Sequence, residues 1–123
     1  MINYDSWKSN ILEAIRSLSN IAYQQKVWLG KDNSKVSSFD EDIMMLYDDN
    51  GFGDDFWDKQ QIANFNFTDL QILELKQFKE HLDKFLLIHN NKRPKPIDKE
   101  IIDDPAWIEI TRRAKKVLET LLE

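Results

Sequence analysis

Residues 47–58 hold the densest group of side chains in this sequence that could do chemistry. The stretch reads YDDNGFGDDFWD and contains five aspartates, two glycines and four aromatic residues. Such carboxylates could bind Ca²⁺, so we compared the stretch with an EF-hand loop beginning at Asp48. Phe52 would then stand at the fifth position and Lys59 at the twelfth, where an oxygen ligand and a bidentate glutamate are needed. The sequence therefore predicts no metal site here.

The two histidines are the next candidates for chemistry. His81 and His89 lie two helical turns apart, whereas histidines that share a metal on one helix usually lie three or four residues apart. Both histidines are expected at the edge of the core. Glu74 and Lys76 have the acid-x-Lys spacing of some nucleases, but residues two apart on a helix face different sides. With no phosphate-binding glycine loop either, we predict a protein that is not an enzyme and has no cofactor.

Aromatic residues beside carboxylates, as in residues 47–58, are typical of a protein–protein interface. The rings supply contact area there, and the acids steer a basic partner towards the surface. An acidic turn that is merely exposed to solvent between two helices is the alternative. We predict a partner-binding site with Trp57 and Phe52 as its aromatic anchors. Its charged members are Asp48, Asp49, Asp54, Asp55 and Asp58.

The charge of the chain is concentrated in one segment. The net charge is −5, but Val36 to Asp58 contains eight of the 22 acids and no Lys or Arg, so the remainder has 14 acids against 17 bases. Nucleic acid is therefore disfavoured as a direct partner, and a basic protein is favoured. A basic cluster near Glu109 is interpreted as a mixed solvated face, or as an internal partner of the acidic segment. It consists of Arg112, Arg113, Lys115 and Lys116.

Length and composition predict one globular domain over residues 1–123. At 41% hydrophobic residues the chain is too apolar for a disordered protein, and its length allows about two thirds of its unfolded surface to be buried. The absence of cysteine excludes a disulfide scaffold and fits a reducing cytosol. No apolar run reaches the ~20 residues that span a membrane, and no signal peptide is recognised. A cytoplasmic location, with no membrane partner, is expected.

Apolar residues recur at intervals of three and four, which predicts an all-α fold. We expect a single-domain bundle of about four main helices with an acidic inter-helix segment. The expected ranges are Asp5 to about Ala22, Ser38 to about Asn50, Thr68 to about Asn90, and Asp104 to the C-terminus. Capping boxes at Ser38 and Thr68, and the Asp104-Pro105 pair, mark three helix starts.

The same periodicity assigns residues to the core. Met44 and Met45 are expected in the core of the second helix. In the third helix, the expected apolar face consists of Leu70, Leu73, Phe78, Leu82, Phe85 and Leu86. In the last helix, the face runs from Trp107 to Leu121.

Several pieces of the sequence resemble small bacterial immunity proteins of contact-dependent growth-inhibition systems. The resemblance covers roughly residues 21–120. The pieces that carry it are Val27-Trp28-Leu29, Ser37-Ser38-Phe39-Asp40-Glu41, Leu46-Tyr47-Asp48-Asp49 and Asp104-Pro105-Ala106-Trp107. It implies a cytosolic protein that binds the toxin domain delivered by a neighbouring cell, in many cases a nuclease with a basic cleft.

The expected function is therefore an immunity protein, or toxin inhibitor, that acts by tight one-to-one protein–protein interaction. Two alternatives stay open at this point. One is a phage-type acidic inhibitor that mimics nucleic acid, and the other is a non-catalytic helical interaction module.

Overall fold

A computed structural model describes residues 3–31 and 34–122 of the chain. Within them the chain forms seven α-helices, one π-helical turn and one 3-10 turn, and no strand. The predicted all-α fold is confirmed. The helices are α1 (Tyr4–Leu18), α2 (Ile21–Val27), α3 (Phe39–Met44), α4 (Lys59–Ala63), α5 (Asp69–Asn90), α6 (Asp98–Asp103) and α7 (Pro105–Leu121). The π-helical turn, Met45–Asp49, continues α3, and the 3-10 turn spans Asp55–Trp57.

The structure has more helices than the four that periodicity predicts. Each expected helix is present, as α1, α3 with its π-helical turn, α5 and α7, while α2, α4 and α6 are additional. The first helix ends at Leu18 and not near Ala22. Asn20 has extended backbone there, and its side chain accepts a hydrogen bond from the Tyr23 N–H to begin α2. The additional helices span only five to seven residues, too few for an apolar repeat to show.

The three helix starts predicted from capping residues are confirmed. The Ser38 hydroxyl accepts a hydrogen bond from the Glu41 N–H at 3.1 Å. Thr68 and Gln71 form a complete capping box, in which each side chain accepts from the other residue's backbone N–H. Asp104 caps α7, whose first residue is proline. These side chains satisfy backbone donors that the first turn of a helix leaves unpaired.

Trp107 lies at the centre of the core and is fully buried. It is carried by α7, which packs against both α5 and α1. Its ring centroid lies 5.9 Å from that of Trp28 and 5.2 Å from those of Phe39 and Phe85. Its indole N–H donates to the buried Gln24 side chain at 2.9 Å. One tryptophan thus connects four helices through ring packing and a hydrogen bond.

The buried face of α5 differs in part from the predicted one. Leu70 and Leu73 are more than half exposed, although the sequence analysis places them on the core face. Phe78, Leu82 and Phe85 are buried as predicted, and the buried stripe also contains Leu75 and His89 at intervals of three and four residues. Packing against α7 selects this stripe, and periodicity alone does not identify which of two apolar stripes faces inwards.

Met44 and Met45 are exposed, and the prediction that they belong to the core is wrong. Their exposed fractions are 53% and 40%, whereas the neighbouring Leu46 is fully buried. The α3 helix passes directly into the π-helical turn, and Phe39 and Leu46 supply their buried apolar side chains. The two methionines face away from the core.

No helix in the described part of the chain combines the length and the hydropathy that crossing a bilayer requires.

Candidate partner-binding surface

Residues 47–58, named here the acidic segment, are folded back on themselves by backbone hydrogen bonds. Gly51 has a φ of +67°, and its carbonyl accepts from the N–H groups of Asp54 and Phe56 at 3.1 and 2.9 Å. A Cβ atom at Gly51 would lie 3.0 Å from the Asp55 Cβ and 3.5 Å from the Trp7 ring. Glycine is therefore required here by both the conformation and the space.

An aromatic cluster lies directly beneath the acidic segment. The Trp7 ring of α1 packs on Phe56 and Phe65 at centroid distances of 6.5 and 5.0 Å. Its indole N–H donates to the Asn50 carbonyl at 2.7 Å, which ties the acidic segment to α1. The segment therefore rests on packed rings that fix its position.

Phe52 is a core residue, and its assignment as an aromatic anchor for a partner is wrong. Its exposed fraction is 0%, because its ring is packed among those of Tyr47, Phe56, Trp57 and Phe78. A fully buried ring offers no surface to another protein.

Trp57 is the other predicted anchor, and it is only partly buried. Its indole N–H donates to the Phe52 carbonyl, and its ring stands edge-on to that of Phe56 at 4.8 Å. The side chain is therefore held in one orientation with part of its ring at the surface. A ring held in this way can be buried by a partner without loss of rotamer freedom.

All five aspartates of the acidic segment are exposed. Asp58 is the N-cap of α4, and its carboxylate accepts from the N–H groups of Gln60 and Gln61. The remaining four carry no ion pair with any basic group in residues 3–31 and 34–122. These four are Asp48, Asp49, Asp54 and Asp55. Their carboxylates therefore face solvent without an ion-pair partner among the described residues.

The basic cluster of α7 does not neutralise the acidic segment. Arg112 and Arg113 pair with Glu109 on the same helix, at 2.6 and 3.2 Å. The interpretation of this cluster as a mixed solvated face is confirmed for these two residues. Among the eight acids of residues 36–58, Asp40 forms an ion pair with a distant part of the chain, because its carboxylate lies 2.9 Å from the Lys95 ammonium group.

A cleft of about 460 Å³ lies between α1, residues 35–37 and α3, and we name it the α1–α3 cleft. Its apolar lining includes Val36, Met44 and Met45, and its acidic lining includes Glu41 and Asp49. Asp49 also belongs to the acidic segment, so the two features form one continuous surface. The sequence analysis missed this cleft because it placed both methionines in the core.

A buried carboxylate forms part of the wall of the α1–α3 cleft. Asp42 is 1% exposed, and it accepts hydrogen bonds of 2.7 Å from the Trp28 indole N–H and the Ser37 hydroxyl. Burial, followed by the nearby Asp42 charge, raises the pKa of the Tyr23 phenol on the same wall. Both carboxylate oxygens of Asp42 are thus hydrogen-bonded within the protein, and this buried side chain does not belong to the exposed acidic surface.

His89 lies inside the core and not at its edge. Its ring is 4.8 Å from that of Phe39 and nearly parallel to that of Phe85 at 6.0 Å. Its Nε2 atom is buried with no hydrogen-bond partner among the described residues. Burial lowers the pKa of this imidazole, and the Lys95 charge lowers it further. Residues 3–31 and 34–122 contain no group of three or more His, Cys, Asp or Glu side chains that could hold a metal ion.

Comparison with known proteins places the chain in a family but not in a functional class. No curated protein and no solved structure matches it. A family model described as a domain of unknown function, DUF7945, matches residues 2–123. Since this match covers almost the whole sequence, the chain belongs to the DUF7945 family.

Proposed function

We propose that this protein is an immunity protein that binds and neutralises a cognate toxin domain delivered by contact-dependent growth inhibition. The toxin domain would be a nuclease whose nucleic-acid-binding cleft is basic. The observation that carries the proposal is the set of four exposed and unpaired aspartates on a segment held from below by aromatic packing. These aspartates are Asp48, Asp49, Asp54 and Asp55.

The rigidity of the acidic segment supports a binding role over that of a plain solvated turn. Gly51 fixes the path of the backbone, and the Trp7 indole holds the carbonyl of Asn50. A surface that is already ordered loses little conformational entropy when a partner binds. Four uncompensated carboxylates on such a surface attract a basic partner and accelerate encounter.

Contact geometry must supply the rest of the affinity. The Debye length at physiological salt is ~8 Å, so the aspartates act only at short range. Trp57 is partly exposed and held by its hydrogen bond to the Phe52 carbonyl, which suits it to be the aromatic contact. Tryptophan is among the residues most often found at energetic centres of interfaces.

The same four aspartates also suit a phage-type inhibitor that mimics nucleic acid on a host nuclease. The two functions differ in the identity of the partner and not in the chemistry of this surface. A helical interaction module is favoured by a separate observation, the exposure of Met44 and Met45. Such a module would bind its partner without protecting cells against a toxin.

The test is co-expression with the toxin domain encoded immediately upstream of this gene. We expect a stable one-to-one complex on size-exclusion chromatography. We also expect co-expression to restore the growth of cells that the toxin domain alone arrests. The absence of both would contradict the proposal. Inhibition of a host nuclease, competed by duplex DNA, would support the nucleic-acid mimic instead.

A matched pair of variants tests whether the acidic segment is responsible. In the first variant, the four unpaired aspartates of the segment are replaced by asparagine. In the control variant, four exposed acids outside residues 36–58 are replaced by their amides. The control residues are Asp69, Glu80, Asp103 and Glu119. Both variants change the net charge equally, so a loss of protection in the first alone assigns the effect to the acidic segment.

A further inference from the structure

The lining of the α1–α3 cleft includes three apolar side chains that are exposed to solvent. Val36 is 90% exposed, and Met44 and Met45 are 53% and 40% exposed. Methionine side chains are flexible and polarizable, so they adapt to apolar groups of different shapes. Three neighbouring apolar side chains around a concave surface gain free energy when another apolar group covers them.

Acidic side chains also line the cleft. Glu41 and Asp49 are exposed and have no ion pair with the basic groups of the described residues. Glu13 also lines the cleft, but Arg16 lies 3.3 Å from it and offsets its charge. Lys35, the basic residue of the lining, places its ammonium group 5.3 Å from the centroid of the Tyr23 ring. With Glu13 offset by Arg16, the carboxylates of Glu41, Asp42 and Asp49 still outnumber the one ammonium group of Lys35, so the lining has a net negative charge.

We infer that the α1–α3 cleft is a docking site for a basic amphipathic segment of a protein partner. The apolar side chains of that segment would cover Met44 and Met45, and its Lys or Arg side chains would reach Glu41 and Asp49. An amphipathic helix in an apolar groove is a common mode of peptide recognition. Charge complementarity selects the occupant, because an acidic or nucleic-acid segment would be repelled by the negatively charged lining.

A second copy of this chain is a poorer match to the cleft. Half of its basic cluster on α7 is already occupied, because Arg112 and Arg113 pair with Glu109, while Lys115 and Lys116 have no ion pair among the described residues. We therefore expect a different protein, and not a second copy of this chain, to occupy the cleft. The inference relies on the proposed function only for the identity of the partner, and the shared residue Asp49 would place the toxin across both the cleft and the acidic segment.

The experiment uses the full chain with ¹³C-labelled methionine methyl groups and a synthetic helical peptide. The peptide has leucine on one face and lysine on the other, and a second peptide has glutamate in place of lysine. We expect the basic peptide to shift the methyl signals of Met44 and Met45, and the acidic peptide to leave them in place.

Two double variants give the matched control. Replacing Met44 and Met45 by serine should weaken binding of the basic peptide by at least about tenfold, as removal of central contacts does. Replacing Leu70 and Leu73 by serine removes two similarly exposed apolar residues from α5. This second change should alter the dissociation constant by less than about twofold, because it leaves the cleft intact.

Three results would overturn the inference. They are failure of the basic peptide to bind, binding without a shift of the Met44 and Met45 signals, and an equal loss of affinity in both variants. A concentration-dependent shift of these signals without peptide, together with a dimer in ultracentrifugation, would assign the cleft to a second copy and also overturn it.

The cleft and the proposed function fail separately. Protection against the toxin without peptide binding in the cleft would leave the immunity function standing and remove the cleft. Peptide binding in the cleft without a toxin complex would leave the cleft as a docking site and remove the immunity function.

Discussion

The indole N–H of Trp28 donates a 2.7 Å hydrogen bond to the buried carboxylate of Asp42. This contact removes one of the eight acids between residues 36 and 58 from the solvent-exposed charge. Ser37 donates a second hydrogen bond of 2.7 Å to the other carboxylate oxygen. Asp42 therefore joins the end of α2, the start of α3 and the segment between them, and its role is in the fold.

Replacing Asp42 by alanine should destabilise the protein by about 2–3 kcal/mol, because it leaves a buried indole N–H without an acceptor and opens a small cavity. An asparagine side chain keeps an oxygen acceptor, so Asp42→Asn should cost less. Urea unfolding followed by tryptophan fluorescence measures both changes. Asp48→Ala serves as the control and should stay within about 0.5 kcal/mol, since Asp48 is exposed. Equal stability of Asp42→Ala and Asp48→Ala would contradict the assignment.

Gln24 offers a second test of the buried polar contacts. Its amide nitrogen donates to the carbonyls of Ser17 and Leu18 at the end of α1, and its oxygen accepts from Trp107. Gln24→Leu has a similar size but leaves all three groups unpaired. We expect a loss of about 2–4 kcal/mol in the free energy of unfolding.

Calorimetry would show this loss for Gln24→Leu as a fall in the melting temperature of roughly 3–5 °C per kcal/mol. The neighbouring Gln25 is exposed, so Gln25→Leu should leave the melting temperature nearly unchanged. A Gln24→Leu protein as stable as the wild type would show that the three hydrogen bonds contribute little.

His89 should make the protein sensitive to mild acid. Burial lowers its pKa below the ordinary value of 6.5, and the Lys95 and Lys92 charges act in the same direction, against Asp40 and Asp98. Below pH 6.5 the unfolded chain therefore binds a proton at this residue more readily than the folded chain does. The stability associated with neutral His89 is fully present above pH 6.5 and is lost as the pH falls below it.

His89→Phe tests this dependence, because the buried Nε2 atom has no described hydrogen-bond partner to lose. The variant should lose less stability than the wild type between about pH 7 and about pH 5, as measured by urea midpoints. His81 is only partly buried and provides the control substitution on the same helix. If His89→Phe and His81→Gln change the pH profile equally, burial of His89 is not its cause.

The parts of the fold that the sequence predicts well depend on local chemistry. The hydroxyls of Ser38 and Thr68 pair with backbone groups three residues away, and Pro105 fixes its own backbone angle. Neither effect needs the rest of the molecule. Helix starts are therefore recoverable from short stretches of sequence.

The parts that the sequence predicts poorly depend on distant contacts. Leu70 and Leu75 are equally apolar, but Leu75 is buried and Leu70 is more than half exposed on a helix that packs against α7. Met44 and Phe52 show the same dependence. Met44 is expected in the core but is exposed, and Phe52 is expected at the surface but is buried. Phe52 is drawn into the core by rings from α5 and from the 3-10 turn, so the predicted aromatic anchor is lost.

Binding kinetics should separate the contributions of Trp57 and of the four aspartates to the proposed toxin interface. Trp57→Ala removes a held ring that a partner would cover, so it should raise the dissociation rate of the toxin complex by about tenfold or more. Replacing Asp48, Asp49, Asp54 and Asp55 by asparagine should instead slow association and weaken its dependence on salt. Surface plasmon resonance at two ionic strengths resolves both rates. The Trp57 indole N–H donates a hydrogen bond to the Phe52 carbonyl, so Trp57→Ala could also disturb the fold of the acidic segment. Circular dichroism of each variant checks that it is folded. A folded Trp57→Ala that dissociates at the wild-type rate, together with unchanged association of the aspartate variant, would remove the acidic segment from the interface.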